Sequence, residues 1–205
     1  CASVGAKFGN GDYIGTVGDM STFSFYFGHQ LSTIEGGFIN TSDRTLYTEL
    51  LKLRSHGWVK DIANEEWRNH EDFPFVFLEP GFNVRPTDFQ AYIGLGQIDK
   101  AESIFEKRSQ NHIRYTQKLS NRFEWQDWKR ATPVSLHIGI LAETNEHRKR
   151  VIKKCHENGI ETRIWSHGNL GKHKFWTDRF GEFDGDVSNK IYETGFIVPT
   201  HPSID

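Results

Sequence analysis

The stretch Thr22-Phe23-Ser24-Phe25-Tyr26-Phe27-Gly28-His29-Gln30, followed by Ser32-Thr33-Ile34-Glu35-Gly36-Gly37-Phe38-Ile39, decides how this chain is read. β-Formers dominate both of its ends and glycines punctuate it. Thr22–Tyr26 and Phe38–Thr41 are therefore predicted as short strands separated by a glycine-marked turn. A helix is predicted next, over Asp43–Ser55. Ser42 or Asp43 supplies its N-cap, Leu46, Leu50, Leu51 and Leu53 form an apolar face, and Gly57 provides a stop. Strands followed by a helix imply an α/β layer.

Outward from that layer, residues 59–82 are polar, aromatic and irregular, with acids at Glu65, Glu66, Glu71 and Asp72. They read as a long functional or surface loop. Pro86 suits the first position of a helix running to about Ile98, and the charged, amphipathic stretch from Lys100 to Asn121 continues as a second helix. From Val134 the pattern becomes strand (Val134–Leu141), helix (Asn145–Asn158, ended by Gly159) and strand (Ile160–Trp165), the signature of a separate small α/β domain. The expected division is 1–121 and 122–205.

Charged residues make up 25% of the 205 and the formal net charge is −2, so no basic field exists to hold a nucleic-acid backbone. Two cysteines, Cys1 and Cys155, cannot build a disulfide framework, which points to reduced thiols and a cytoplasmic setting. No metal-ligand spacing is present. The longest apolar stretch, near Val134–Ala142, is interrupted by His137 and falls well short of the roughly 20 residues that span a bilayer, so no membrane association is expected. The opening at Cys1 and the ending Pro202-Ser203-Ile204-Asp205 read as the limits of a piece of a longer polypeptide.

The opening stretch resembles the cofactor-anchoring segment of the DegT/DnrJ/EryC1/StrS sugar-aminotransferase family. The similarity extends through Arg54-Ser55-His56-Gly57-Trp58, Pro80-Gly81-Phe82-Asn83-Val84-Arg85-Pro86 and Gly159-Ile160-Glu161-Thr162-Arg163. It implies a fold-type-I, pyridoxal-phosphate-dependent aminotransferase-like α/β chain, truncated to the end of the large domain plus a small C-terminal domain. Where the family carries the lysine that binds pyridoxal phosphate covalently, this chain has His29. An imidazole forms no stable imine, so transamination through a lysine-bound cofactor is closed. Acid–base chemistry stays open, because imidazole titrates near pH 6.5 and both takes and returns a proton at neutrality.

The histidine exchange is similar to the family branch that removes the 3-hydroxyl of a nucleotide-linked 4-keto-6-deoxyhexose. There pyridoxamine phosphate is held non-covalently and reloaded from a glutamate-type amino donor. A related branch with an iron–sulfur cluster needs clustered cysteines that this chain lacks. Carried over by position, the resemblance makes His29 the proton carrier, Ser24 a donor to the cofactor phosphate, and Asn83 a second phosphate contact reaching into the neighbouring subunit of a homodimer. It places His56, Glu161 and Arg163 near the sugar. The family aspartate that grips the pyridine nitrogen would precede Cys1, so the 205-residue chain alone is expected to be a poor catalyst. Each residue also has a plainer reading. Ser24 fits an outward strand position and Asn83 a turn asparagine after Gly81. His56 suits a helix end favoured by the macrodipole, and Glu161 with Arg163 an edge ion pair. An aminotransferase of the same family, or a non-catalytic relative that binds nucleotide sugar or cofactor, is the alternative function.

Overall fold

The computed structural model describes residues 2–62, 64–128 and 130–204; Cys1 lies outside them. In chain order the elements are β1 (Lys7–Phe8), β2 (Ser21–Ser24), β3 (Gly37–Asn40), α1 (Arg44–Arg54), α2 (Glu65–Arg68), α3 (Asp88–Ile98) and α4 (Ala101–Leu119). After these come β4 (Glu124–Trp125), β5 (Ala131–Thr132), β6 (His137–Leu141), α5 (Asn145–Glu157), β7 (Arg163–Ile164), α6 (Lys174–Phe180), α7 (Asp186–Thr194) and β8 (Gly195–Pro199). Two compact units result. One is Tyr13–Ala101; the other joins Ala2–Asp12 to everything described from Glu102 onward. The sequence expectation draws its line after residue 121, whereas α4 clusters with the second unit.

In the first unit β2 and β3 pair antiparallel, with Ser21 opposite Asn40 and Ser24 opposite Gly37. The predicted strand pair and helix are all present, each within a residue or two of its expected ends. Asp43 is the N-cap of α1, its Oδ1 accepting from the N–H groups of Thr45 (2.7 Å) and Leu46 (3.0 Å). α3 starts later than expected. Pro86 does not open it; Thr87 caps it in a reciprocal box, with Thr87 Oγ1 accepting from Gln90 N–H (3.3 Å) and Gln90 Oε1 accepting from Thr87 N–H (2.9 Å). The loop expected over 59–82 holds one short helix, α2, and an aromatic stack in which Trp58 lies 5.7 Å from Phe75 and 5.9 Å from Phe77.

The second unit carries the principal apolar core. Its antiparallel sheet has the order β4-β6-β8-β7, and alternation along β6 and β8 turns Ile138, Ile140, Phe196 and Val198 onto one buried face. Tyr115 from α4 and Val151 and Ile152 from α5 pack against that face. β6 begins at His137 rather than the expected Val134, because the Leu136 N–H is used on the Ala2 carbonyl (3.1 Å). The predicted strand Ile160–Trp165 shrinks to β7, since a 3-10 turn takes over at Trp165–His167. Among the described residues no helix is long and apolar enough to cross a membrane.

Candidate functional site

Ser24, His29, His56 and Asn83 all lie in the first unit. Ser24 closes β2 opposite Gly37, whose lack of a side chain lets the two backbones meet: a Cβ there would sit on the Phe23 carbonyl. Beyond Ser24 the chain folds back on itself. Phe25 N–H donates to Gly36 O and Thr33 N–H to Phe25 O, both at 2.9 Å, and Thr33 Oγ1 donates to Glu35 O at 2.7 Å. Gln90 of α3 fastens this loop from outside, donating Nε2–H to Glu35 O at 2.8 Å. An apolar cavity of about 270 Å³ lies between the loop and α3, walled by Phe25, Thr33, Leu95 and Ile98 among others.

His29 sits in the turn of that loop, its N–H on Tyr26 O (2.9 Å) and its ring edge-on to the Tyr26 ring at 5.9 Å. Its Nδ1 is buried and has no hydrogen-bond partner among the described residues. Ser24 Oγ accepts from Tyr26 N–H at 3.2 Å, and its own proton has no acceptor among the described residues. A buried ring nitrogen without a partner and a serine with a proton to give fit the polar edge of a phosphorylated pyridine cofactor. In a purely structural turn the orphaned nitrogen would be an uncompensated cost.

His56 and Asn83 come from two segments that are stapled together. α1 ends with Gly57 N–H on Lys52 O (2.9 Å), the long bond of a Schellman cap. The short bond of that cap is replaced by an inserted peptide: Phe82 N–H donates to Leu53 O and His56 N–H donates to Phe82 O, both at 2.7 Å. Ser55 and Asn83 then form an isolated bridge. Gly57 and Gly81 make this possible, since a Cβ on Gly57 would overlap the Glu79 carbonyl and one on Gly81 the Gly57 nitrogen. Lys52 Nζ reaches Glu49 (2.7 Å) and Glu79 (2.8 Å); these contacts raise the Lys52 pKa and hold the Glu79 carboxyl below its ordinary range. His56 is exposed and left-handed (φ 62°), a conformation that costs a residue with a side chain about 1 kcal/mol. Asn83 is exposed, its Oδ1 taken by Arg85 Nε at 3.1 Å and its amide protons uncommitted among the described residues. The sequence reading missed Arg85 as the orienter of Asn83, and missed the pairing of Gly57 with Gly81. Both glycines stand inside quoted motifs, but only a tertiary contact joins them.

Glu161 and Arg163 belong to the second unit. Arg163 is on β7, an edge strand, and Glu161 precedes it in irregular chain rather than lying within the predicted strand Ile160–Trp165. They pair directly, Arg163 Nε to Glu161 Oε1 at 2.9 Å, with about two thirds of each side chain exposed. Such a pair contributes little stability, so its two groups are free to exchange partners. Among the described residues no group of three or more His, Cys, Asp or Glu side chains gathers as a metal site would require.

Against known proteins, the family model described as the DegT/DnrJ/EryC1/StrS aminotransferase family matches residues 1–205. The chain is 33% identical over 207 residues to GDP-4-keto-6-deoxy-D-mannose 3-dehydratase of Yersinia pseudotuberculosis, covering 96% of this chain and 51% of that protein. Its fold superposes on the E. coli GDP-4-keto-6-deoxy-D-mannose-3-dehydratase with bound hydrated PLP at a TM-score of 0.86 and 27% identity, covering 98% of this chain and 55% of the other. A GDP-4-keto-6-deoxymannose-3-dehydratase structure with a trapped PLP-glutamate geminal diamine matches at 0.84 and 26%, covering 97% and 54%. The chain thus spans about half the length of these relatives and has the corresponding part of their mixed α/β, aminotransferase-like fold. With the quoted motifs and the whole-chain match in agreement, this chain belongs to the DegT/DnrJ/EryC1/StrS aminotransferase family.

Proposed function

We propose that the intact protein removes the 3-hydroxyl of a nucleotide-linked 4-keto-6-deoxyhexose, using pyridoxamine phosphate held without a covalent bond to the protein. The observation that carries this reading is the buried Nδ1 of His29, unpartnered among the described residues, at the position where the resemblance expects the imine-forming lysine. The similarity to 3-dehydratases over nearly the whole chain supports it.

When bound, the cofactor would supply an amine to condense with the C4 ketone and a conjugated ring able to hold the electron pair freed by proton removal and to release it as the C3 hydroxyl departs. Everything else falls to the protein. His29 takes a proton at Nδ1 and returns it, and because it cannot trap the cofactor covalently it leaves the amine free for substrate. The Ser24 hydroxyl and the Asn83 amide hold the phosphate as neutral donors. Asn83 does so across the interface of a homodimer, which its exposure and uncommitted amide support. His56, Glu161 and Arg163 orient the sugar, and a glutamate-type donor restores the amine. His29→Asn in the intact protein should lower the dehydration rate by about 10²–10⁴-fold while cofactor absorbance is retained. Full activity in that variant would overturn the assignment.

A further inference from the structure

We propose that the second unit carries a binding site of its own for a phosphorylated small molecule. The site is formed by the first turns of α5, the 3-10 segments that follow β7, and the C-terminal end of α7. A cavity of about 470 Å³ opens there, a volume in the range of small-molecule sites. Arg148, Lys149 and Lys172 all line it. None of the three makes an ion pair among the described residues, although the same unit pairs Lys153 with Glu157, Lys174 with Asp178 and Lys190 with Glu124. Arg148 Nε is buried and lacks a hydrogen-bond partner among the described residues, so this cation of the lining carries a desolvated guanidinium edge without compensation.

The chemistry of the lining selects the ligand. A guanidinium presents parallel donors to two oxygens of one phosphate, and lysines add point charge, so three cations facing one carboxylate, Glu193, favour a polyanion over a monocarboxylate. Glu193 is committed through its backbone, whose carbonyl accepts from Asn145 Nδ2 at 2.7 Å. Lys172 Nζ lies 5.6 Å from the centre of the Tyr192 ring, which with Ile164 gives the cavity an apolar wall suited to a sugar or base attached to the phosphate. These observations do not depend on the dehydration reading and stand if it fails.

The test is calorimetric titration of the intact protein with inorganic pyrophosphate, GDP and guanosine, for the native protein and for Arg148→Gln combined with Lys172→Gln. Hydrogen–deuterium exchange is measured alongside. Pyrophosphate should bind, guanosine should not, and the double variant should weaken binding by about tenfold or more. Protection should rise at residues 145–149 and 164–173. GDP binding well above pyrophosphate in affinity would identify a nucleotide as the occupant, and equal affinities a phosphate group alone. Pyrophosphate affinity unchanged in a folded double variant overturns the site. If the variant does not fold, pyrophosphate protection that leaves residues 145–149 and 164–173 untouched in the native protein overturns it equally.

Discussion

At the scale of single residues, three histidines show three different uses of one side chain. His29 keeps a buried nitrogen without a partner among the described residues, and the sequence frame around it singles the position out as a candidate. His56 was legible as a helix end but not as a left-handed residue, because the backbone angle depends on the Phe82 peptide inserted from a distant segment. Strain of that kind persists only where the surrounding structure over-determines it, and it clusters at active sites. His56→Gly should therefore stabilise the fold by about 1 kcal/mol and raise the thermal midpoint, while slowing turnover. A variant that is both more stable and fully active would remove His56 from the site. His112 was not singled out from sequence at all. It is buried beside Ser135 Oγ (2.7 Å from Nδ1) and edge-on to Trp128, and burial pushes its pKa down to about 4. The folded form thus holds it neutral while the unfolded chain protonates it near pH 6.5. Its contribution is complete above that value and is lost as pH falls from about 6.5 to about 4. Denaturant midpoints followed over that interval should drop, and His112→Gln should flatten the dependence.

At the scale of elements, caps and turns decided where the sequence reading succeeded. Asp43 and the leucines of α1 are local signals, and the helix lies where they put it. Pro86 misled by two residues because Thr87 and Gln90 form a stronger start than a proline alone. Ile160–Trp165 looked like a full strand from its composition, yet among the described residues it pairs with a strand only at Arg163 and Ile164, where β8 lies alongside. The staple between residues 55–58 and 79–84 is the element-scale feature on which the site depends most. Gly81→Ala would drive a methyl into the Gly57 nitrogen and the His56 backbone. It should destabilise the first unit by about 3 kcal/mol or more and disorder Asn83 with it, a loss visible as faster amide exchange across residues 53–58. Unchanged exchange there would mean that the two segments are held by something other than this backbone contact.

At the scale of the whole molecule, the two units differ in how they are held together. In the second, Ile138, Ile140, Phe196 and Val198 make a buried core across paired strands; in the first, Val59 is the only large apolar side chain so deeply buried among the described residues. β8, α6 and α7 escaped the sequence reading because they are short, and β8 owes its strand to partners far away in the chain, with Gly139 lying opposite Ile197. A homodimer with shared sites makes a quantitative prediction. Mixing inactive His29→Asn with inactive Asn83→Ala should restore about a quarter of native activity, since half the dimers become mixed and each of those has one intact site. No recovery after subunit exchange would confine each site to one chain. The central claim itself is tested by the mass of the product that the intact protein makes from GDP-4-keto-6-deoxymannose with pyridoxamine phosphate and glutamate. Loss of the C3 oxygen with the ketone retained is the predicted result; replacement of the ketone oxygen by an amine would contradict it and make the protein an aminotransferase in spite of His29.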